Sequence, residues 1–336
     1  MSIVSTIDYP SAITAAFAAV QQMVKADFEA VNAIIGEQLQ SDIHLINEVA
    51  VHLLHSGGKR LRPLLVLLSA KAMGYTGNQH YSLAAIIELI HTATLLHDDV
   101  VDNSHLRRGK STANIIWGDQ ASVLVGDFLY SRTFQMMAEL NCMRIMSVFA
   151  EATNTIASGE VLQLTNCRRV DTSVTEYLEV IQRKTAKLFE TATHLGAIVA
   201  NATSTQELAL ARYGLHLGIT FQLIDDVLDY SAPLEKLGKT LGNDLVEGKP
   251  TLPLLYALQN GDAQQIAFLK NVIEKGNIDD FSEVLTILHA TGALEHTRQL
   301  AAQHQELAHQ ALLQIADSAY RDALLTLASF ALNRNH

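Results

Sequence analysis

The stretch YSLAAIIELIHTATLLHDDVVD, Tyr81–Asp102, decides the fold. Leu83, Ile86, Ile87, Ile90, Thr94 and Leu95 recur at the three-and-four spacing of an α-helix, with little polar interruption. Apolar coverage this wide predicts a helix buried on most sides, inside a large bundle. Ala121–Leu140 and Ser147–Leu164 read the same way. No Asn-Gly or Asp-Gly turn joins alternating runs, so strand signals are weak. Long proline-free stretches rich in Ala, Leu, Ile, Gln and Glu also favour helix. The expectation is one all-α domain over residues 1–336, with a large core: hydrophobic residues make up 49% of the chain.

Two breaks interrupt the helical pattern. GGKRLRP, Gly57–Pro63, reads as a loop ending at a helix start, with Pro63 in the first turn. Ser231–Pro253 holds three glycines and three of the five prolines, and predicts a mobile loop. The formal net charge of -11 argues against a nucleic-acid binder. Two cysteines without a CxxC or Cys/His spacing support neither a disulfide framework nor a structural zinc. Leu64–Ala70 is too short to span a bilayer, and Ala12–Val20 lacks a preceding Lys or Arg. The expected localisation is cytoplasmic.

The opening stretch ends on three aspartates, Asp98, Asp99 and Asp102. QLIDDVLD, Gln222–Asp229, repeats the spacing with Asp225, Asp226 and Asp229. On a helix, Asp98 and Asp102 share a face, as do Asp225 and Asp229, and like charges at that spacing repel. Both sets fall near a helix C-terminus, where the macrodipole disfavours anions. A solvated helix end explains one such cluster less well when a second follows another apolar run. Six carboxylates set against local electrostatics call for cations. Oxygen-only donors point to magnesium, with manganese and calcium as alternatives. Magnesium completes its shell with water and substrate phosphates, so a phosphorylated substrate is expected. A di-iron bundle would need Glu-x-x-His pairs, which neither cluster has.

Basic residues gather in few places: Lys59, Arg60 and Arg62; Arg107 and Arg108; Lys184; Lys239 and Lys249. Arginine forks and lysine point charges bind phosphate oxygens, so two anionic groups are expected, one held through metal and one directly. His91 lies two turns before Asp98 on the same face.

GGKRLRP, LLHDDVVDNSHLRRGKST, KTAKLFE and FQLIDDVLDY…LGKTLGNDLVEGKPTLPLL, in this order from Gly57 to Leu255, resemble the successive motifs of the trans-polyprenyl diphosphate synthases. The resemblance implies an isoprenoid-synthase bundle around a central cavity, with the aspartate clusters facing each other across its mouth. It implies a prenyltransferase that extends an allylic diphosphate, with farnesyl diphosphate the expected primer, by isopentenyl diphosphate. Magnesium, three ions with the allylic substrate, would assist ionisation; condensation and proton loss would follow. Asp98 and Asp102 match first-cluster metal ligands and Asp225 the second-cluster ligand, with Asp99, Asp226 and Asp229 in the same metal set. Lys59, Arg62, His91 and Arg108 match the isopentenyl diphosphate site. Arg107, Lys184, Thr185, Gln222 and Lys239 match allylic diphosphate contacts, Lys184 also serving catalysis. The family habit implies a homodimer, and transient membrane contact would serve product release.

Within the family the resemblance is to bacterial members that make a C40 chain for ubiquinone; C35, C45 and C50 products are the alternatives. Ala93 and Thr94 precede Asp98 by five and four residues, and short-chain members carry an aromatic side chain near there that blocks the tail. Small residues at these positions predict a deeper cavity. Met137, roughly 15 Å along the next long helix from Asp127, and Phe149 are the expected floor. A class I terpene cyclase shares the fold and ionisation chemistry, but the intact second cluster and the Arg107–Arg108 pair favour elongation. A non-catalytic partner subunit is expected to lose aspartates, and this chain keeps all six.

Overall fold

The structure, a computed structural model, describes residues 9–55, 58–107, 109–231, 242–276 and 280–334. The helices of the first half are α1 (Tyr9–Met23), α2 (Lys25–Gln38), α3 (His44–His55), α4 (Leu61–Ala72), α5 (Gln79–Val101), α6 (Ala113–Trp117), α7 (Asp119–Glu139) and α8 (Met143–Asn166). Those of the second half are α9 (Val174–Ile181), α10 (Lys187–Val199), α11 (Ser204–Ser231), α12 (Asn243–Val246), α13 (Leu252–Asn260), α14 (Ala263–Lys275), α15 (Phe281–Ala290), α16 (Ala293–Leu312) and α17 (Ala319–Asn333). The three helices expected from periodicity are α5, α7 and α8. Pro63 sits in the first turn of α4, as expected.

Packing follows the apolar coverage. In α4 every residue from Leu64 to Leu68 is fully buried, because α5, α10 and α17 surround it. α5 packs on α7, α2 and α10, and α11 lies between α10 and α16. Phe17 stacks on Phe330 at 4.3 Å, tying α1 to α17. Caps mark the polar boundaries: Ser173 with Glu176 opens α9, and Asp262 with Gln265 opens α14, each as a reciprocal capping box.

Two local features depart from the sequence reading. A two-residue antiparallel hairpin pairs Leu106 with Ser111 and Arg107 with Lys110. The segment expected to be a mobile loop from 231 to 253 contains the short helix α12 and the start of α13, with residues 232–241 lying outside the described part.

Between α9 and α10 the chain makes one π-helical turn, Gln182–Ala186. Such a turn carries an extra residue and re-aims its side chains. It is gripped from two sides. A Cβ on Gly159 of α8 would lie 2.8 Å from the Lys184 nitrogen, and one on Gly218 of α11 would lie 2.6 Å from the Ala186 Cα. Only glycine lets both helices approach so closely.

Candidate active site

The first aspartate cluster closes α5. Asp102 follows the last helical residue, and its N–H donates to the Asp98 carbonyl at 2.8 Å. Asp98 and Asp102 line a large cavity, each beside an ammonium group. Lys184 Nζ lies 3.9 Å from Asp98 and donates to Glu160 Oε2, while Lys249 Nζ donates to Asp102 Oδ2 at 3.1 Å and pairs with Glu247. Burial pushes the Asp98 carboxyl above the usual carboxylate range; Lys184 opposes this and Asp102 adds to it. Burial likewise raises Glu160, with Asp98 adding and Lys184 opposing. For Lys249, burial pulls the ammonium down, but Glu247, Asp102 and Asp244 outweigh it and hold the group above the ordinary lysine value.

Asp99 points elsewhere. It is buried, and its Oδ1 accepts from Arg107 Nε at 2.9 Å and Nη2 at 2.7 Å. The hairpin presents Arg107 to it. Two residues expected in different roles, metal ligand and phosphate contact, are thus paired with each other.

The second cluster divides in the same way. Asp226 is 1% exposed and accepts from the Tyr177 hydroxyl and from Gln222 Nε2 at 2.8 Å. Burial drives its carboxyl far above the usual range, with Asp244 adding to the effect. Asp229 accepts from the N–H groups of Asn243 at 3.2 Å and Asp244 at 3.1 Å, capping α12. Asp225 is half-exposed, and Arg334 Nη2 meets its Oδ1 at 2.6 Å. Asp226 and Asp229, expected in the metal set, therefore spend their oxygens on the scaffold here.

The π-helical turn joins the clusters. Lys184 reaches Asp98, and the next residue, Thr185, donates its hydroxyl to Gln222 Oε1 at 2.9 Å. Gln222 in turn holds Asp226. A second connection runs through the segment after residue 241: α12 sits on Asp229, and Lys249 reaches Asp102.

The isopentenyl diphosphate candidates form a separate group. Arg62 Nη1 lies 3.1 Å from His91 Nε2, and its guanidinium covers the Phe189 ring at 4.5 Å. Lys59 Nζ lies 5.1 Å from the centre of the Phe330 ring. Arg108 and Lys239 fall outside the described residues.

The cavity below the first cluster measures about 800 Å³. Ile90, Thr94, Tyr130, Thr153, Ile156 and Ala157, from α5, α7 and α8, supply its depth. Ala93, Met137 and Phe149 do not line it. They are buried at 0%, 1% and 0% exposure in the adjoining core. One residue turns a side chain about 100°, so Thr94 lines the cavity while the neighbouring Ala93 is packed in the core.

Several site residues carried no assignment from sequence. Glu160 follows Gly159 inside α8, and a mid-helix glycine was its available signal, since it marks close approach. Lys249 stood out only as one cation among several. Tyr177 and Arg334 come from distant helices and left no local signal.

An all-α bundle that links two aspartate clusters and opens a large cavity beside the first is the architecture of an isoprenoid synthase. Comparison with known proteins narrows this. The polyprenyl synthetase sequence profile matches residues 43–288. Octaprenyl diphosphate synthase of Escherichia coli (strain K12) is 49% identical over 317 residues, covering 94% of this chain and 98% of that one. The all-trans-nonaprenyl-diphosphate synthase (geranyl-diphosphate specific) of Rhodobacter capsulatus is 45% identical, covering 93% and 96%. A polyprenyl synthase from Caulobacter crescentus CB15, crystallised with calcium and isoprenyl diphosphate, superposes with a TM-score of 0.92 at 43% identity, covering 95% and 98%. The chain belongs to the polyprenyl synthetase family and is a prenyltransferase.

Proposed function

We propose that the protein extends farnesyl diphosphate with isopentenyl diphosphate to all-trans octaprenyl (C40) diphosphate, for the side chain of ubiquinone. The observation that carries this reading is the joining of both aspartate clusters through Lys184, Thr185 and Gln222, next to the cavity of about 800 Å³ that Asp98 and Asp102 line. The 49% identity to an octaprenyl diphosphate synthase supports the chain length.

The carboxylates fit magnesium. Asp98, Asp102 and Asp225 offer oxygen donors alone, the set a hard cation takes. Each also draws a cationic side chain: Lys184, Lys249 and Arg334 respectively. In this reading these three aspartates hold Mg²⁺, three ions when the allylic diphosphate is present. Asp99, Asp226 and Asp229 support them through Arg107, through Tyr177 with Gln222, and through α12. Bound there, Mg²⁺ would supply Lewis-acid stabilisation of the charge growing on the departing diphosphate.

The chain's own groups do the rest. Lys184, Thr185 and Gln222, with Arg107 and Lys239, orient the allylic diphosphate; Arg107 reaches it by loosening from Asp99. Lys59, Arg62, His91 and Arg108 hold isopentenyl diphosphate. As the allylic C–O bond breaks, its electron pair stays with the diphosphate. The isopentenyl double bond attacks the allylic carbon, and the proton then lost goes to the released diphosphate. The apolar wall from Ile90 to Ile156 keeps water from the cationic carbon.

The remaining parts of the reading rest on surfaces. Ile115, Ile116, Val123 and Leu124 on α6 and α7 are exposed aliphatics, which supports a homodimer through that face. Val101, Val161, Leu164 and Val246 are exposed around the cavity opening, which supports transient membrane contact for product release. No described helix is long and apolar enough to cross a membrane; the proposed localisation is cytoplasmic. The test is turnover of Asp98→Ala and Asp225→Ala with labelled isopentenyl diphosphate. Loss of a hundredfold or more in both, with the fold intact by circular dichroism, supports the assignment; unchanged turnover in both overturns it.

A further inference from the structure

Glu160 is a charged side chain facing an apolar cavity, with no role in the reaction so far. It projects from α8, 30% exposed, and accepts a hydrogen bond from Lys184 Nζ. Lys184 lies 3.9 Å from Asp98 at the same time, so its ammonium is shared between two carboxylates. The turn that carries Lys184 is fixed against the adjacent residue of α8, Gly159, where a Cβ would meet the Lys184 nitrogen at 2.8 Å. One dipeptide, Gly159-Glu160, thus contacts both ends of Lys184: the glycine its backbone, the glutamate its ammonium.

That arrangement has a consequence for the diphosphate. A lysine ammonium on a four-carbon stem has many rotamers, and fixing it beforehand removes an entropy cost from binding. Without Glu160, the carboxylate left beside Lys184 is Asp98, and a tight Lys184–Asp98 pair would compete with both metal and substrate. We propose that Glu160 is a positioning residue for the allylic diphosphate site: it holds Lys184 off Asp98 and beside the first aspartate cluster. This rests on the reading of Lys184 as an allylic diphosphate contact.

The experiment is a double-mutant cycle on the full chain: wild type, Glu160→Gln, Lys184→Ala and the double variant, with Asp98→Ala as control. Two readouts are taken: KM for farnesyl and isopentenyl diphosphates with saturating Mg²⁺, and calorimetric affinity for the unreactive thiolo analogue of farnesyl diphosphate. Glu160→Gln keeps shape and loses charge, and is expected to weaken analogue binding and raise the farnesyl KM about tenfold, leaving the isopentenyl KM within twofold. In the Lys184→Ala background the same change should add less than twofold, because its effect passes through Lys184. Glu160→Asp, one methylene shorter, should fall between wild type and Glu160→Gln. Independent multiplication of the single effects, or an equal rise in both substrate KM values, overturns the positioning role. If Asp98→Ala kept full activity, the underlying site assignment would fail instead, a separate outcome.

Discussion

Gly159→Ala and Gly36→Ala make the same chemical change inside two helices, and the structure gives them different outcomes. At Gly36 in α2, an added Cβ meets nothing within 4 Å. The helix gains alanine's propensity, about 1 kcal/mol, and melting should rise by about 2 °C. At Gly159 the Cβ would sit 2.8 Å from Arg183 Cβ and 2.8 Å from the Lys184 nitrogen. Both neighbours are backbone or next to it, so no flexible tip can swing aside. Overpacking of this kind costs about 1–3 kcal/mol, which cancels or exceeds the propensity gain. The kinetic effect should be larger than the thermal one. The π-helical turn must give by several tenths of an ångström, carrying Lys184 and Thr185 with it, and a misplacement approaching 1 Å lowers rates by up to about a hundredfold. Thermal melting and kcat/KM for both variants make the assay. The reasoning is refuted if Gly159→Ala melts higher than wild type and keeps its kcat/KM, as Gly36→Ala should.

Further outcomes follow from individual contacts. Arg144→Ala leaves the buried Glu207 carboxylate facing His194 at 3.5 Å, and should lower unfolding free energy by about 2–3 kcal/mol while kcat of the folded enzyme is unchanged; urea unfolding and turnover check this. Thr94→Tyr places a ring in the cavity and should shorten the product, whereas Ala93→Tyr shortens it only by pushing through the wall; chain-length separation compares the two. Burial, with His216 adding, lowers His304 from 6.5 to about 4, the two rings facing each other across α11 and α16 with Arg212 nearby. The unfolded chain therefore takes up the proton first, and stability falls as pH drops from 6.5 towards 4. His304→Gln should flatten that limb in urea unfolding measured at pH 7 and 4.5; an unchanged slope would contradict it.

Sequence legibility differed by the range of the interactions involved. Helices α5, α7 and α8 declare themselves because burial on most sides writes long apolar runs. The hairpin at Leu106–Ser111 does not, since two pairs of residues carry no period. Within the clusters, spacing identifies six aspartates but treats them alike. Their partners distinguish them, and these lie far off in sequence: Tyr177 for Asp226, Asn243 for Asp229, Arg334 for Asp225. The wall of the cavity is hard to read from sequence for a related reason. Choosing between Ala93 and Thr94 requires knowing where α7 and α8 sit around α5, and no local pattern encodes that.

Product analysis tests the reaction and the chain length together. Purified protein is incubated with Mg²⁺, farnesyl diphosphate and labelled isopentenyl diphosphate, and the dephosphorylated chains are separated by length. A dominant C40 all-trans product that disappears when the metal is chelated is expected. A dominant C45 product would contradict the chain length, and no elongation with Mg²⁺ present would contradict the proposed reaction itself.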